Sequence, residues 1–206
     1  MTLYNYLLEH YGFNEPILTN EIQYKDYSKP WLYKEICKLV KAGKLMRFDK
    51  GICYIPKDTP FGKSVLNPNR VIEKKYINDG SNVIGYYSGV SFLNIIGMSS
   101  QVANTIEIYT NKETAKVREV SVGKQRVILR RARVNITKKN APVLSLLEMM
   151  NFVSPIFFGD EEKKIAAEYV ERNNIVKRDI TKYAPFFPDK ALRTFIESEV
   201  VYDVTR

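Results

Sequence analysis

The chain has 206 residues, with 32 Lys+Arg against 23 Asp+Glu, one His and two Cys. At that length folding buries roughly 70% of the unfolded surface, so a packed core forms without staples. A composition of 45% hydrophobic and 12% aromatic residues excludes a disordered chain, and no apolar run approaches the roughly 18 to 20 residues of a membrane span.

The first ten residues have no basic stretch and no small-residue cleavage site, so the expectation is a soluble cytosolic protein without a signal peptide. Leu3, Tyr6, Leu7 and Tyr11 recur at helical spacing, and Gly12 supplies a stop. His10 falls at that helix end, away from any catalytic partner. Thr19 is the expected N-cap of a second, short helix through Glu21, Ile22 and Gln23. Ser28-Lys29-Pro30 opens a third, with Pro in the first turn, where its missing N–H costs nothing. It runs from Trp31 to Ala42 and stops at Gly43.

This third helix carries two stripes. Leu32, Ile36, Leu39 and Val40 form the apolar one. Trp31, Lys34, Lys38 and Lys41 form the other, roughly opposite at 100° per residue, which predicts an exposed indole among lysines. Lys44–Phe48 and Ile52–Ile55 read as two strands around Asp49-Lys50-Gly51, with Pro56 ending the second. Three helices and a hairpin is the order of a winged helix-turn-helix, whose third helix enters the DNA major groove. The expected DNA-binding residues are Lys29, Trp31, Tyr33, Lys34, Lys38 and Lys41 on the helix and Arg47 and Lys50 on the wing. The alternative is a winged helix that binds a protein partner and no DNA.

Residues 57–70 read as a connector, placing the domain boundary near residue 68: a winged helix over 1–68 and a second domain over 69–206. In that second part Val83–Tyr87 reads as a strand, Ser88–Gly97 as a buried helix, and Thr105–Thr110 and Val117–Val122 as strands. From Arg126 to Ile136 the apolar positions change phase, odd at Val127 and Leu129 but even at Ala132, Val134 and Ile136. That predicts a bulge or break at Arg130-Arg131, with Arg131, Arg133 and Asn135 on one exposed face. Pro142–Met150, Asp160–Asn173 and Asp189–Ser198 read as helices. The fold class is therefore α+β: a winged helix-turn-helix, then a mixed domain with a small sheet and several helices.

The positive charge is concentrated. Residues 112–139 hold ten basic and two acidic groups, a surplus of +8 out of the chain's +9. A polyanionic partner follows as a prior. Lys124, Arg126, Arg130, Arg131, Arg133, Lys138 and Lys139 form a candidate second basic surface: another DNA contact, a site for RNA or an acidic protein, or a solvated sheet face. Arginine dominates it, and its planar fork suits bidentate recognition.

Chemistry-bearing motifs are scarce. One His and two Cys make no zinc constellation and no Ser-His-Asp or Cys-His pair; Cys37 and Cys53 sit among apolar neighbours as small buried hydrophobes. There is no phosphate loop and no G-x-G-x-x-G. Ser88 directly precedes Gly89, so Gly85-Tyr86-Tyr87-Ser88-Gly89 is not a nucleophile elbow. Pro188-Asp189 lacks a following E-x-K, leaving a metal-dependent nuclease as a minor alternative. No enzyme activity, cofactor or metal is expected.

Leu39, Gly43, Leu45 and Arg47, then Gly51, Tyr54 and Pro56, followed by Thr59-x-Phe61-Gly62, resemble the start of AbiEi-type antitoxins of type IV toxin–antitoxin systems. Three further blocks resemble the core of that family's C-terminal domain: Gly85–Gly89, Leu93-Asn94 with Gly97-Met98-Ser99-Ser100-Gln101-Val102-Ala103-Asn104, and Ile106-Glu107-Ile108-x-Thr110-Asn111. Family members usually carry Pro where Ala103 stands. The resemblance spans residues 30–150 well and the last fifty loosely. It implies a non-enzymatic protein of an abortive-infection (phage-defence) operon. The N-terminal domain would bind inverted repeats in its own promoter and repress transcription. The C-terminal domain would counteract a nucleotidyltransferase-like toxin, without direct contact being required.

Overall fold

The computed structural model describes residues 1–101 and 103–200; Val102, within one of the blocks quoted above, and the final six residues lie outside it. The fold is α+β. Two compact units emerge: Met1–Lys74 with Val122–Lys124, and Lys75–Ser121 with Gln125 to the end of the described chain. Among the described residues no helix is long and apolar enough to cross a membrane.

In the first unit, α1 (Leu3–Tyr11) leads into β1 (Ile17–Leu18), α2 (Lys29–Lys41), β2 (Met46–Asp49) and β3 (Ile52–Tyr54). The three strands form one sheet in the order β1-β3-β2, with Ile17 opposite Cys53 and Arg47 opposite Cys53 on its other side. Thr2 caps α1 by accepting from the Asn5 amide, and His10 in its last turn stacks on Tyr6. Leu3, Leu7, Ile17, Ile22, Leu32, Ile36, Leu45 and Ile55 make the core between helices and sheet.

The helix expected at Thr19 does not form. The sheet takes this backbone instead: Leu18 pairs with Ile52, the Thr19 amide donates to Gly51 O, and a single turn returns Glu21 N to Leu18 O. Lys25 then adopts φ +48, which no helix continues through. Helix, strand, helix, hairpin replaces the expected three helices and hairpin. The hairpin itself is present, with a register shift between Arg47 and Asp49 and Gly51 at φ +74 in its turn.

Residues 57–70 are more than a connector. They form a second small hairpin, β4 (Asp58–Thr59) with β5 (Gly62–Lys63), and the start of α3 (Pro68–Ile72), capped by the Asn67 side chain. The Tyr54 hydroxyl donates to Ser64 O and Lys63 Nζ to Gly43 O, tying this hairpin to β3 and to the end of α2. A π-helical turn, Glu73–Ile77, spans the division between the units.

The second unit is built on a four-stranded sheet ordered β10-β11-β9-β8. After the two-residue pair β6 (Asn78–Asp79) and β7 (Asn82–Val83) come β8 (Gly85–Ser88), α4 (Gly89–Ile96), β9 (Thr105–Thr110), β10 (Val117–Val122) and β11 (Gln125–Arg131). β8 runs antiparallel to β9, while β11 runs parallel to it, so the chain crosses over through β10. The helices α5 (Ala141–Phe152), α6 (Asp160–Arg172), α7 (Lys177–Tyr183) and α8 (Asp189–Glu197) follow. α5 is buried along most of its length, packed against β8, α4, α7 and α8, which is why its sequence is largely apolar. α7 was not foreseen; its seven residues carry only Ile180 as a buried anchor.

The phase change after Leu129 is a break and not a bulge: β11 ends at Arg131, and the following residues are irregular until Ile136, which is buried again. Asn111 fixes this stretch with two hydrogen bonds to the Ile136 backbone, each 2.8 Å. Residues of the family-like blocks act structurally in the same way. Asn94 donates to Gln101 O, and the Ser99 hydroxyl accepts from the Gln101 amide.

Cys53 is 3% exposed, and burial pushes its thiol up to about 11, against the lowering effect of Arg47. Cys37 is half-buried. A disulfide-exchange reagent at pH 8 is therefore expected to leave Cys53 unmodified in the folded protein and to label it only with denaturant. Mapping the labelled peptide checks this; labelling of native Cys53 as fast as a free thiol would contradict the burial.

Candidate nucleic-acid interface

α2 begins at Lys29 because Ser28 is extended and Pro30 sits in the first turn, and it stops where Gly43 takes φ +69. Leu32 and Ile36 anchor it to the core. Of the expected stripe, Lys34 and Lys41 are exposed with no carboxylate partner among the described residues. Lys38 is also exposed but ion-paired to Glu35 at 2.5 Å, one helical turn back. Such an exposed pair contributes little to stability, and the ammonium can exchange it for a phosphate.

Two expected members leave the stripe. Lys29 turns back to donate to Asn20 O (2.6 Å) and Ile22 O (3.0 Å), closing the turn that replaced the missing helix. Trp31 is half-buried, stacked on Tyr27 at 3.8 Å between ring centroids and packed against the first unit's core. An indole gains far more by covering that aromatic layer than by standing in water. The prediction of an exposed indole is wrong.

On the β2–β3 hairpin, Arg47 and Lys50 are exposed and unpaired among the described residues. A groove of about 430 Å³ runs between α2 and the hairpin, lined by Tyr33, Val40, Arg47, Phe48, Asp49 and Lys50 among others. Tyr33 thus belongs to the hairpin-facing side of α2, with Lys34 about 100° further round. Lys34, Lys41, Arg47 and Lys50 are the free cations of this unit that the structure gathers on α2 and the adjoining hairpin.

The second basic segment is less uniform than its charge count. Arg126 pairs with Glu119 (2.8 Å) and Arg130 with Glu107 (3.0 Å). Arg133 pairs with Glu148 (3.0 Å), its side chain 27% exposed; Arg131, Arg133 and Asn135 are all exposed, alternating with the half-buried Ala132 and Val134. Arg131, Lys124, Lys138 and Lys139 are exposed and unpaired among the described residues. The reason is register: β9 lies beside β11 and brings Glu107 across to Arg130, while α5 brings Glu148 to the broken strand end.

Compared with known proteins, the chain matches no family model, and no curated protein or solved structure is significantly similar to it.

Glu148 is the centre of a buried polar network. It is 5% exposed and accepts from the Tyr109 hydroxyl (3.0 Å), Asn151 Nδ2 (2.9 Å) and two nitrogens of Arg133. Burial first, then the Glu148 charge, push the Tyr109 phenol up to about 12 despite Arg133. Sequence reading missed Glu107, Tyr109 and Glu148. One signal was present: a single carboxylate inside the apolar run Leu144-Ser145-Leu146-Leu147-Glu148-Met149-Met150 needs a buried cation or donor nearby. Among the described residues no three His, Cys, Asp or Glu side chains gather as a metal site.

Proposed function

We propose that the first unit is a DNA-binding module of winged helix-turn-helix type, with α2 as the groove-reading helix and the β2–β3 hairpin as its wing. What carries this reading is the set of exposed cations without carboxylate partners among the described residues: Lys34 and Lys41 on α2, and Arg47 and Lys50 on the hairpin, where they line the groove beside Tyr33. Ammonium and guanidinium groups without internal partners are the ones free to neutralise phosphates and release counterions. β1 supports it too, since it completes a short three-stranded sheet with the hairpin. The resemblance to AbiEi-type antitoxins extends the reading. The chain is a non-enzymatic, cytoplasmic autorepressor of a type IV toxin–antitoxin operon, binding promoter inverted repeats and counteracting a nucleotidyltransferase-like toxin.

Fluorescence anisotropy against the DNA upstream of the gene tests the DNA part. The Lys34→Ala/Lys41→Ala double variant is expected to reduce the slope of log K against log salt by about two, at 0.9 per lost phosphate contact. Binding at physiological salt weakens by about tenfold or more. Wild-type affinity and slope in the double variant would remove α2 from the interface. If the native protein does not bind this DNA at all, the unit is a protein-interaction module. The antitoxin part requires a nucleotidyltransferase-like gene beside this one, whose growth arrest on expression is expected to be relieved by co-expressing this chain; a neighbour of another kind, or no relief, overturns it.

A further inference from the structure

The second unit contains a cleft of about 500 Å³ lined by Tyr109, Lys116, the run from Arg130 to Arg133, and Phe186. Four cations meet in it. Two are held in place by carboxylates outside the lining, Arg130 by Glu107 and Arg133 by Glu148, each at 3.0 Å. The other two, Lys116 and Arg131, are exposed and have no carboxylate partner among the described residues. Two aromatic rings complete the wall; Phe186 is 53% exposed. The Arg133 guanidinium stands 5.7 Å from the Tyr109 ring centroid, so it is braced by aromatic contact as well as by its ion pair.

We infer that this cleft binds a mononucleotide: a nucleoside di- or triphosphate whose phosphates engage Lys116 and Arg131 and whose base lies against Phe186. Positive charge left uncompensated inside a concave site selects an anion, and guanidinium forks favour phosphate oxygens over a point charge. The exposed ring supplies what a bare phosphate would not use, a flat apolar surface for stacking. The volume lies within the range that holds one small ligand, which favours a free nucleotide over a strand. The partnered arginines act as preorganised walls: Glu107 and Glu148 fix their direction and leave part of each guanidinium's donor set unspent. This site belongs to the second unit and does not depend on the DNA-binding reading.

Isothermal titration of the full chain with ATP, pyrophosphate, adenosine and a single-stranded 12-mer oligonucleotide, all without divalent cations, tests it. ATP is expected to bind, pyrophosphate about tenfold more weakly, and adenosine not detectably below about 1 mM. Lys116→Ala/Arg131→Ala should weaken ATP about tenfold or more while leaving the melting temperature and upstream-DNA binding unchanged. Phe186→Ala should bring ATP down to the pyrophosphate level. Absence of ATP binding, undiminished binding in the double variant, equal affinity for pyrophosphate, or binding of the oligonucleotide alone would each overturn the proposal.

Discussion

A Gly85→Ala variant is expected to lose the second unit's fold or to melt far below the native protein. A Cβ at position 85 would lie 2.0 Å from Tyr76 O and 2.8 Å from Tyr109 O. Both obstacles are backbone carbonyls, so no rotamer change relieves them. Gly85 begins β8, opposite Thr110, and Ile84 N on one side bonds Ile77 O at 2.7 Å, so the strand is pinned where the clash occurs. Overpacking against a flexible side chain costs roughly 1–3 kcal/mol; against two fixed carbonyls the expected cost exceeds about 3 kcal/mol. Calorimetry should show the second unit's transition lowered by roughly 10 °C or more, or absent. A Gly12→Ala variant is the useful contrast, since a Cβ there meets nothing within 4 Å and the cost is backbone strain alone, at φ +76 and ψ −169, with no clash. Equal melting temperatures for Gly85→Ala and the native chain would mean that β8 is not seated against the Tyr76 turn as described.

The second large effect is expected at Glu148. Glu148→Ala leaves the Tyr109 hydroxyl, Asn151 and the Arg133 guanidinium without their common acceptor. Removing one partner of a buried pair costs roughly 3–5 kcal/mol, and the lower part of that range applies because Arg133 keeps some contact with water. Urea unfolding of the second unit should register the loss as a lower midpoint at an unchanged slope. The double variant Arg133→Met/Glu148→Met should be more stable than Glu148→Ala alone, because it removes both charges and fills the space with apolar volume. If Glu148→Ala is as stable as the native chain, Glu148 is not the hub its four hydrogen-bond donors indicate. If the double variant is no better than the single one, the hydroxyl of Tyr109 and the amide of Asn151 dominate the cost.

These two positions also show what could be read from the chain and what could not. Gly85 stood out only as part of a Gly-Tyr-Tyr-Ser-Gly run, and its reason, a carbonyl brought in from Tyr76, lies nine residues upstream and is invisible to periodicity. Glu148 was legible as an anomaly in an apolar helix, but its partners come from β9 and from the broken end of β11. Charge counting summed +8 over residues 112–139 and could not see that Arg130 and Arg133 are matched by carboxylates from outside that segment, Glu107 and Glu148. In the first unit the amphipathic pattern of α2 was readable because it is local, set by 3.6-residue repetition and by Ser28, Pro30 and Gly43 at its ends. The fate of Trp31 was not, since the ring it stacks on, Tyr27, lies in the turn before α2, where the spacing predicted no element.

The chain by itself determined the α+β class, the positions of α1, α2, the β2–β3 hairpin, β9, β10, α5, α6 and α8, and the end of β11, because each depends on short-range spacing, caps and breakers. Only the tertiary structure decided that residues 19–23 form a turn after β1 instead of a helix, that Lys29 bonds the carbonyls of that turn, that Trp31 packs against the core, and which cations stay free. Those outcomes depend on backbone donors, carboxylates and rings supplied from distant segments, and a carbonyl or carboxylate that arrives across the fold outweighs the weak local preference it meets.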